Sequence, residues 1–126
     1  MENVAIIVGA GSGKRFGSYK QVEIINNKPV YQYSIDAFLD SKSFSKIIIA
    51  IPKKLINVVS EQLAEDKYKN VILCEGGDSR SQSVYNAFSM ISGQQNKIFI
   101  HDAARPMINK KTILNLIEFS KKEDAV

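Results

Sequence analysis

Only one cysteine, Cys74, occurs in the 126 residues, so no disulfide can form within the chain, and a reducing compartment, the cytoplasm, is the expected setting. Cys74 closes an apolar run, a place for a buried thiol rather than a nucleophile. No apolar stretch approaches the roughly 20 residues that a membrane-spanning helix requires. The first residues do not read as a secretory leader, because they run straight into an apolar strand. Charge of one sign is also scarce in excess: 17 Lys and Arg stand against 13 Asp and Glu, a net +4. That balance suits a small anionic ligand. It is too weak for nucleic acid, and the basic residues are scattered, without interleaved aromatics. No repeat, low-complexity tract or linker interrupts the chain. The length is one domain's worth, or part of a larger one.

What the chain does have is a glycine-rich loop directly after an apolar run. Val4-Ala5-Ile6-Ile7-Val8 leads into Gly9-Ala10-Gly11-Ser12-Gly13-Lys14-Arg15-Phe16-Gly17. Glycine lets a backbone turn sharply and bring N–H groups against a ligand. Successive inward N–H groups form a concavity for an anion, and Lys14 and Arg15 add positive charge. A phosphate cradle is the economical reading. Two well-known versions fail on spacing. The dinucleotide pattern G-x-G-x-x-G meets Lys14 or Phe16 where its third glycine belongs. The pattern G-x-x-x-x-G-K-[ST] meets Val8 and Arg15 at two required positions. Neither an NAD dehydrogenase nor a P-loop NTPase is supported.

Apolar, β-branched runs recur at 4–8, 46–51, 70–74 and 97–101, each with the length of a fully covered parallel strand. Helical spacing lies between and after them. Pro29 is expected as a first helical residue, ahead of Val30, Tyr33, Ser34, Ala37 and Phe38 on one face. Leu55, Val58, Val59, Gln62 and Leu63 repeat the spacing. So do Val84, Ala87, Phe88 and Ile91, and finally Ile113, Leu114 and Ile117, with Glu118, Lys121 and Lys122 outside. The order β-α-β-α-β-α-β-α predicts a Rossmann-like α/β domain: a parallel sheet with helices on both faces. Such sheets bind ligands beyond the carboxyl ends of their strands. Three of the four loops expected there carry Gly, Asp, Arg and Ser. They are the glycine loop, Glu75 to Ser83, and Asp102-Ala103-Ala104-Arg105-Pro106. The Asn26-Asn27 and Ser41-Lys42-Ser43 turns are expected at the opposite edge.

These three loops together resemble the 2-C-methyl-D-erythritol 4-phosphate cytidylyltransferases, with the related ribitol-5-phosphate cytidylyltransferases sharing the layout. The resemblance rests on the glycine loop with Lys20-Gln21, on Gly76-Gly77-Asp78-x-Arg80-x-x-Ser83-Val84, and on His101-Asp102-Ala103-Ala104-Arg105-Pro106. It covers the whole chain but only about the first half of a family member. Val8-Gly9 stands where the family usually has Pro-Ala, and the segment from Phe16 to Lys20 is shorter than usual.

The resemblance implies a nucleotidyltransferase of the nucleotide-diphospho-sugar transferase type. A polyol phosphate attacks the α-phosphorus of CTP and pyrophosphate leaves. It implies Arg15 and Lys20 as the catalytic cations, and backbone contacts to CTP from Gly9, Ala10, Gly11 and Gly13. It places Gly77, Asp78 and Ser83 at the cytosine, Ala103 at the ribose, Arg105 as a brace of the site or a phosphate contact, and Asp102 on Mg²⁺. The family's second half supplies a further catalytic lysine, the acceptor pocket and an arm for homodimerisation, so the 126 residues alone are expected to be weak or inactive. Plainer roles stand beside these. Arg15 could form a surface salt bridge, Asp102 could cap a turn, and Asp78 or Ser79 could cap a helix. Arg80 is structural or approaches the base. His101 reads as a strand-end histidine in a structural hydrogen bond rather than a general base, because a phosphate nucleophile is already ionised. A nucleotidyltransferase for another sugar phosphate, and a non-catalytic nucleotide-binding module, are the rival functions.

Overall fold

The structure, a computed structural model, describes residues 2–9, 14–15, 18–19, 24–91, 96–103 and 108–122. Strand β1 (Glu2–Val8) is followed by two short antiparallel pairs. These are β2 (Lys14–Arg15) with β3 (Ser18–Tyr19), and β4 (Ile24–Ile25) with β5 (Lys28–Pro29). Helix α1 (Val30–Ser41), β6 (Lys46–Ile51), α2 (Ile56–Gln62), β7 (Val71–Glu75), α3 (Arg80–Phe88), β8 (Asn96–Asp102) and α4 (Lys110–Lys122) complete the order. The main sheet runs β7-β6-β1-β8, and every neighbouring pair is parallel.

The strands form where β-branched residues are buried on both faces. Val4, Ile6 and Val8 pack with Ile48, Ala50 and Cys74 on one face, under Ala87 and Val84 of α3. Ala5, Ile7, Ile47, Ile49 and Ile51 point to the other face, against Tyr31, Ile35 and Phe38 of α1, Val59 of α2, and Ile113 and Ile117 of α4. Successive strand residues alternate between faces, so a continuous apolar run fills both cores. Truncating any of these isoleucines to alanine costs about 2–5 kcal/mol. Among the described residues, no helix is long and apolar enough to cross a membrane.

The structure corrects several expectations. Pro29 is not the first helical residue. It is extended, at φ −61° and ψ 146°, and forms the N-cap of α1. It is held there because it pairs with Ile24 across the β4–β5 hairpin. That hairpin turns at Asn26 and Asn27, with φ of 52° and 67°, a backbone region asparagine tolerates and two-residue hairpins require. The Asn26-Asn27 turn therefore belongs to the connection entering α1, where the Tyr33 hydroxyl donates to the Ile25 carbonyl. It does not lie at the opposite edge. Ser43 and Ser45 do lie there, bonded to Asn3 near the start of β1. The buried face of α1 adds Tyr31 and Ile35 to the expected set. Val58, Phe88 and Leu114 were expected inside but are exposed. Only α1 and α4 exceed ten residues, and the short α2 and α3 bury a narrow stripe apiece.

Candidate functional site

From β1 the chain winds outward through β6 to β7. It then returns under α3 to β8 on the far side of β1. The reversal lies between β1 and β8, and open α/β sheets place their ligand crevice at the carboxyl ends of the strands at such a reversal. The loops at that rim are stapled to neighbouring strand ends. The Gly9 N–H donates to the Ala50 carbonyl at 2.7 Å, the Ala103 N–H to the Val8 carbonyl at 2.9 Å, and the Gly76 N–H to the Ile51 carbonyl at 2.7 Å. Gly9, Ala103 and the Gly76-Gly77 loop thus stand along one edge. Asp102, the last residue of β8, is paired with Val8 on the same edge and is half-buried.

Small residues are required where two of these loops meet. A Cβ on Gly9 would lie 3.2 Å from the Ala103 Cβ and 3.5 Å from the Ala50 carbonyl oxygen. The segments after β1 and β8 therefore pack closely, with the Ala103 methyl and, at 3.5 Å, Ile51 Cγ2 beside the place a Cβ on Gly9 would take. Gly77 is tighter still. A Cβ there would lie 2.1 Å from Gln82 Cγ and 2.5 Å from Gln82 Cβ.

The loop after β7 is built by α3. Ser79 is the N-cap, its hydroxyl accepting from the Gln82 N–H at 3.1 Å. Ser83, fully buried, accepts from the Gly77 N–H at 3.0 Å and donates to the Ser79 carbonyl at 3.0 Å. Its donor is spent inside the loop, so the hydroxyl shapes the loop and keeps one lone pair for anything else. Asp78 is exposed between Gly77 and the cap, and Arg80 is exposed at the first position of α3. The capping role weighed for Asp78 and Ser79 thus falls to Ser79.

His101 precedes Asp102 and points to the opposite face. Its Nε2 lies 3.1 Å from the hydroxyl of Ser34, a fully buried residue of α1, and its ring is 5.8 Å from that of Phe38. The strand end that carries Asp102 is thereby anchored to α1. Cys74 is buried, and burial, helped by the charge of Glu75, pushes its thiol above the ordinary range. A thiol in that state is a poor nucleophile at neutral pH.

Of the sequence-selected residues, Gly9, Gly77, Asp78, Ser83, Asp102 and Ala103 gather at this rim. The backbone of Arg15 is paired with Ser18 in the β2–β3 ribbon. Ala10, Gly11, Gly13, Lys20 and Arg105, and the side chain of Arg15, lie outside the described residues. Three residues went unselected, or were selected only as helix face: Ser34, Gln82 and Asn86. The amide of Asn86 donates to the Glu75 carbonyl at 3.2 Å and accepts from Gln82 Nε2 at 2.9 Å. The i, i+4 spacing of Gln82 and Asn86 was a visible signal. The link from Ser34 to His101, 67 residues apart, had none.

A parallel sheet reversed at β1 and β8, with small residues and a carboxylate on its carboxyl rim, defines the class of open, doubly wound α/β domains. The 2-C-methyl-D-erythritol 4-phosphate cytidylyltransferase family matches residues 3–126. The chain belongs to that family. A relative of that name from Endomicrobium trichonymphae is 41% identical over 125 residues, which is 97% of this chain and 55% of the relative. The crystal structure of 4-diphosphocytidyl-2C-methyl-D-erythritol synthase from Anaerococcus prevotii superposes with a TM-score of 0.83 at 26% identity, covering 96% of this chain and 51% of that one. The Francisella tularensis 2-C-methyl-D-erythritol 4-phosphate cytidylyltransferase superposes with a TM-score of 0.78 at 30% identity, over 98% and 54%. The chain therefore spans about half the length of the relatives it matches.

Proposed function

We propose that the chain carries the CTP-binding part of an enzyme that joins CTP to 2-C-methyl-D-erythritol 4-phosphate. A phosphate oxygen of the acceptor bonds to the α-phosphorus, the bond to the bridging oxygen breaks, and pyrophosphate leaves. Positioning and charge stabilisation dominate such a transfer. In this reading the backbone from Gly11 to Gly17 holds the β- and γ-phosphates, Gly9 and Ala10 contact the nucleoside, and Arg15 and Lys20 neutralise the charge building on the bridging oxygen and the α-phosphate. Gly77 and Asp78 meet the cytosine edge, Ser83 shapes their loop and lends its remaining lone pair, Ala103 lies under the ribose, and Arg105 braces the edge.

Asp102 suits a divalent cation such as Mg²⁺, because a carboxylate is a hard oxygen donor. Among the described residues no three His, Cys, Asp or Glu gather into a metal cluster, and magnesium needs only one or two carboxylates plus substrate phosphates. When bound, the ion would offset phosphate charge. We assign acceptor binding, a second catalytic lysine and a dimerisation arm to sequence that the longer relatives carry and these residues do not. A cytoplasmic homodimer is the expected full-length form, and these residues alone should turn over slowly or not at all.

The observation that carries the reading is the close packing of Gly9 against the Ala103 methyl beside Asp102, on the rim that also holds Gly77. Isothermal titration with CTP, UTP, GTP and NAD, with and without Mg²⁺, tests it. CTP should bind best, and more tightly with the cation. Absence of CTP binding, or preference for NAD, removes the reading.

A further inference from the structure

We propose that Asn86 is a positioning residue that sets the loop after β7 for base discrimination. The inference rests on the reading that this loop meets the cytosine. The loop backbone is gripped at almost every residue. Ile51 holds Gly76, Ser83 holds Gly77 and Ser79, and Asn86 holds the carbonyl of Glu75, the residue where β7 ends. Among the described residues Asn86 connects the strand end to the flank of Gly77, sharing the Glu75 carbonyl with the Cys74 thiol at 3.5 Å. Its Oδ1 accepts from Gln82 Nε2, and the Cβ and Cγ of Gln82 are the atoms against which Gly77 packs. One amide therefore ties two supports together: the start of the loop through Nδ2 and its side wall through Oδ1.

Cytosine and uracil differ where an exocyclic amine replaces a carbonyl. Telling them apart requires backbone groups and a carboxylate placed to within a few tenths of an ångström, and second-layer bonds supply that placement. Asn86 itself is half-buried and lies on α3 behind the loop, so it acts through Glu75 and Gln82 rather than by touching the base.

The test is Asn86→Asp in the protein, with Gln82→Ala as a second variant and CTP and UTP titrated against each. Asn86→Asp keeps the shape and the acceptor but deletes the donor to Glu75. Gln82→Ala keeps the Cβ beside Gly77 but deletes the link to Asn86. Asn86→Asp should weaken CTP by about fivefold, the scale of one lost hydrogen bond, while UTP changes by less than about twofold, so that discrimination shrinks. Gln82→Ala should fall between it and the parent. A general loosening would instead weaken both nucleotides in parallel. An unchanged CTP-to-UTP ratio in both variants overturns the inference and leaves the functional reading intact. If the parent protein does not prefer CTP at all, both fall together.

Discussion

The two ends of the sheet are closed by different means. At the amino end, side chains do most of the work, beside the main-chain bond from the Ser45 N–H to the Asn3 carbonyl at 3.0 Å. Asn3 donates to the Ser43 carbonyl, Ser45 bonds back to Asn3, and the Lys97 ammonium donates to the Ser120 carbonyl at 2.6 Å near the end of α4. At the carboxyl end, main chain meets main chain. Gly9, Ala103 and Gly76 each donate to the neighbouring strand, and the contact at Gly9 leaves little room for a methyl group. Both ends are held, and at the carboxyl end the hold is made by main-chain bonds from Gly9, Gly76 and Ala103. Side-chain closure does not fill the amino edge, where a cavity of about 380 Å³ remains between Asn3, Lys97, Ile117, Ser120 and Lys121.

The sharpest way to break this contrast is Gly77→Val. The new side chain would occupy the space of Gln82 Cβ, which is not the free end of a flexible chain. The loop must shift, and CTP affinity measured by titration should fall by about tenfold or more, a cost above about 1.4 kcal/mol. Retained affinity would mean that the loop after β7 is not part of the site.

A smaller effect is expected from Lys97→Met at the other end. It removes a charged donor from the Ser120 carbonyl and from the buried Ser120 hydroxyl, 3.5 Å away. Urea denaturation should report a loss of about 1–2 kcal/mol, discounted for the partial exposure of the lysine, with CTP affinity unchanged within about twofold. Equal losses in both measurements would show that the two ends are coupled.

The smallest effect concerns Cys74, which reports on the carboxyl end without contributing to it. Its folded thiol is raised by burial and by Glu75, so less thiolate is present at a given pH than in the unfolded chain. Alkylation should be slow at pH 8 and should accelerate on raising the pH beyond the ordinary thiol range. The linked stability has the same sign. It is complete below the unfolded pKa and is lost as pH rises through the folded one. Alkylation at pH 8 as fast in the folded as in the unfolded protein would disprove the shielding of this strand end.

The four main strands were legible because the inner pair, β1 and β6, is buried on both faces and the outer pair, β7 and β8, carries the same kind of apolar run although partly exposed, with Ile100 at the surface. The hairpin before α1 was not legible, because Pro29 is equally suited to a helix start and to a strand end, and only its pairing with Ile24 decides. The exposure of Val58, Phe88 and Leu114 was also hidden. Period tells that a helix forms, not how wide its covered stripe is. That Gly9, Gly77 and Asp102 share one rim could be read because strand ends announce themselves. Asn86 could not be read as a clamp, because its partner is a backbone carbonyl and carbonyls carry no residue-type signal.

One cluster on α1 bears on how the segment between β1 and α1 behaves. Asp36 accepts from the Tyr68 hydroxyl at 2.7 Å and pairs with the Lys28 ammonium, while Lys67 lies 3.8 Å away and Gln32 donates to the Tyr68 oxygen at 2.6 Å. Lys28 belongs to β5, so the downstream end of that connection is moored to the helix and to the turn before β7. Its upstream end is moored at Gly9. Gly9 and Lys28, the two ends of that connection, are thus held by the sheet and by α1, so the loop-closure entropy of bringing them together is already offset within the fold.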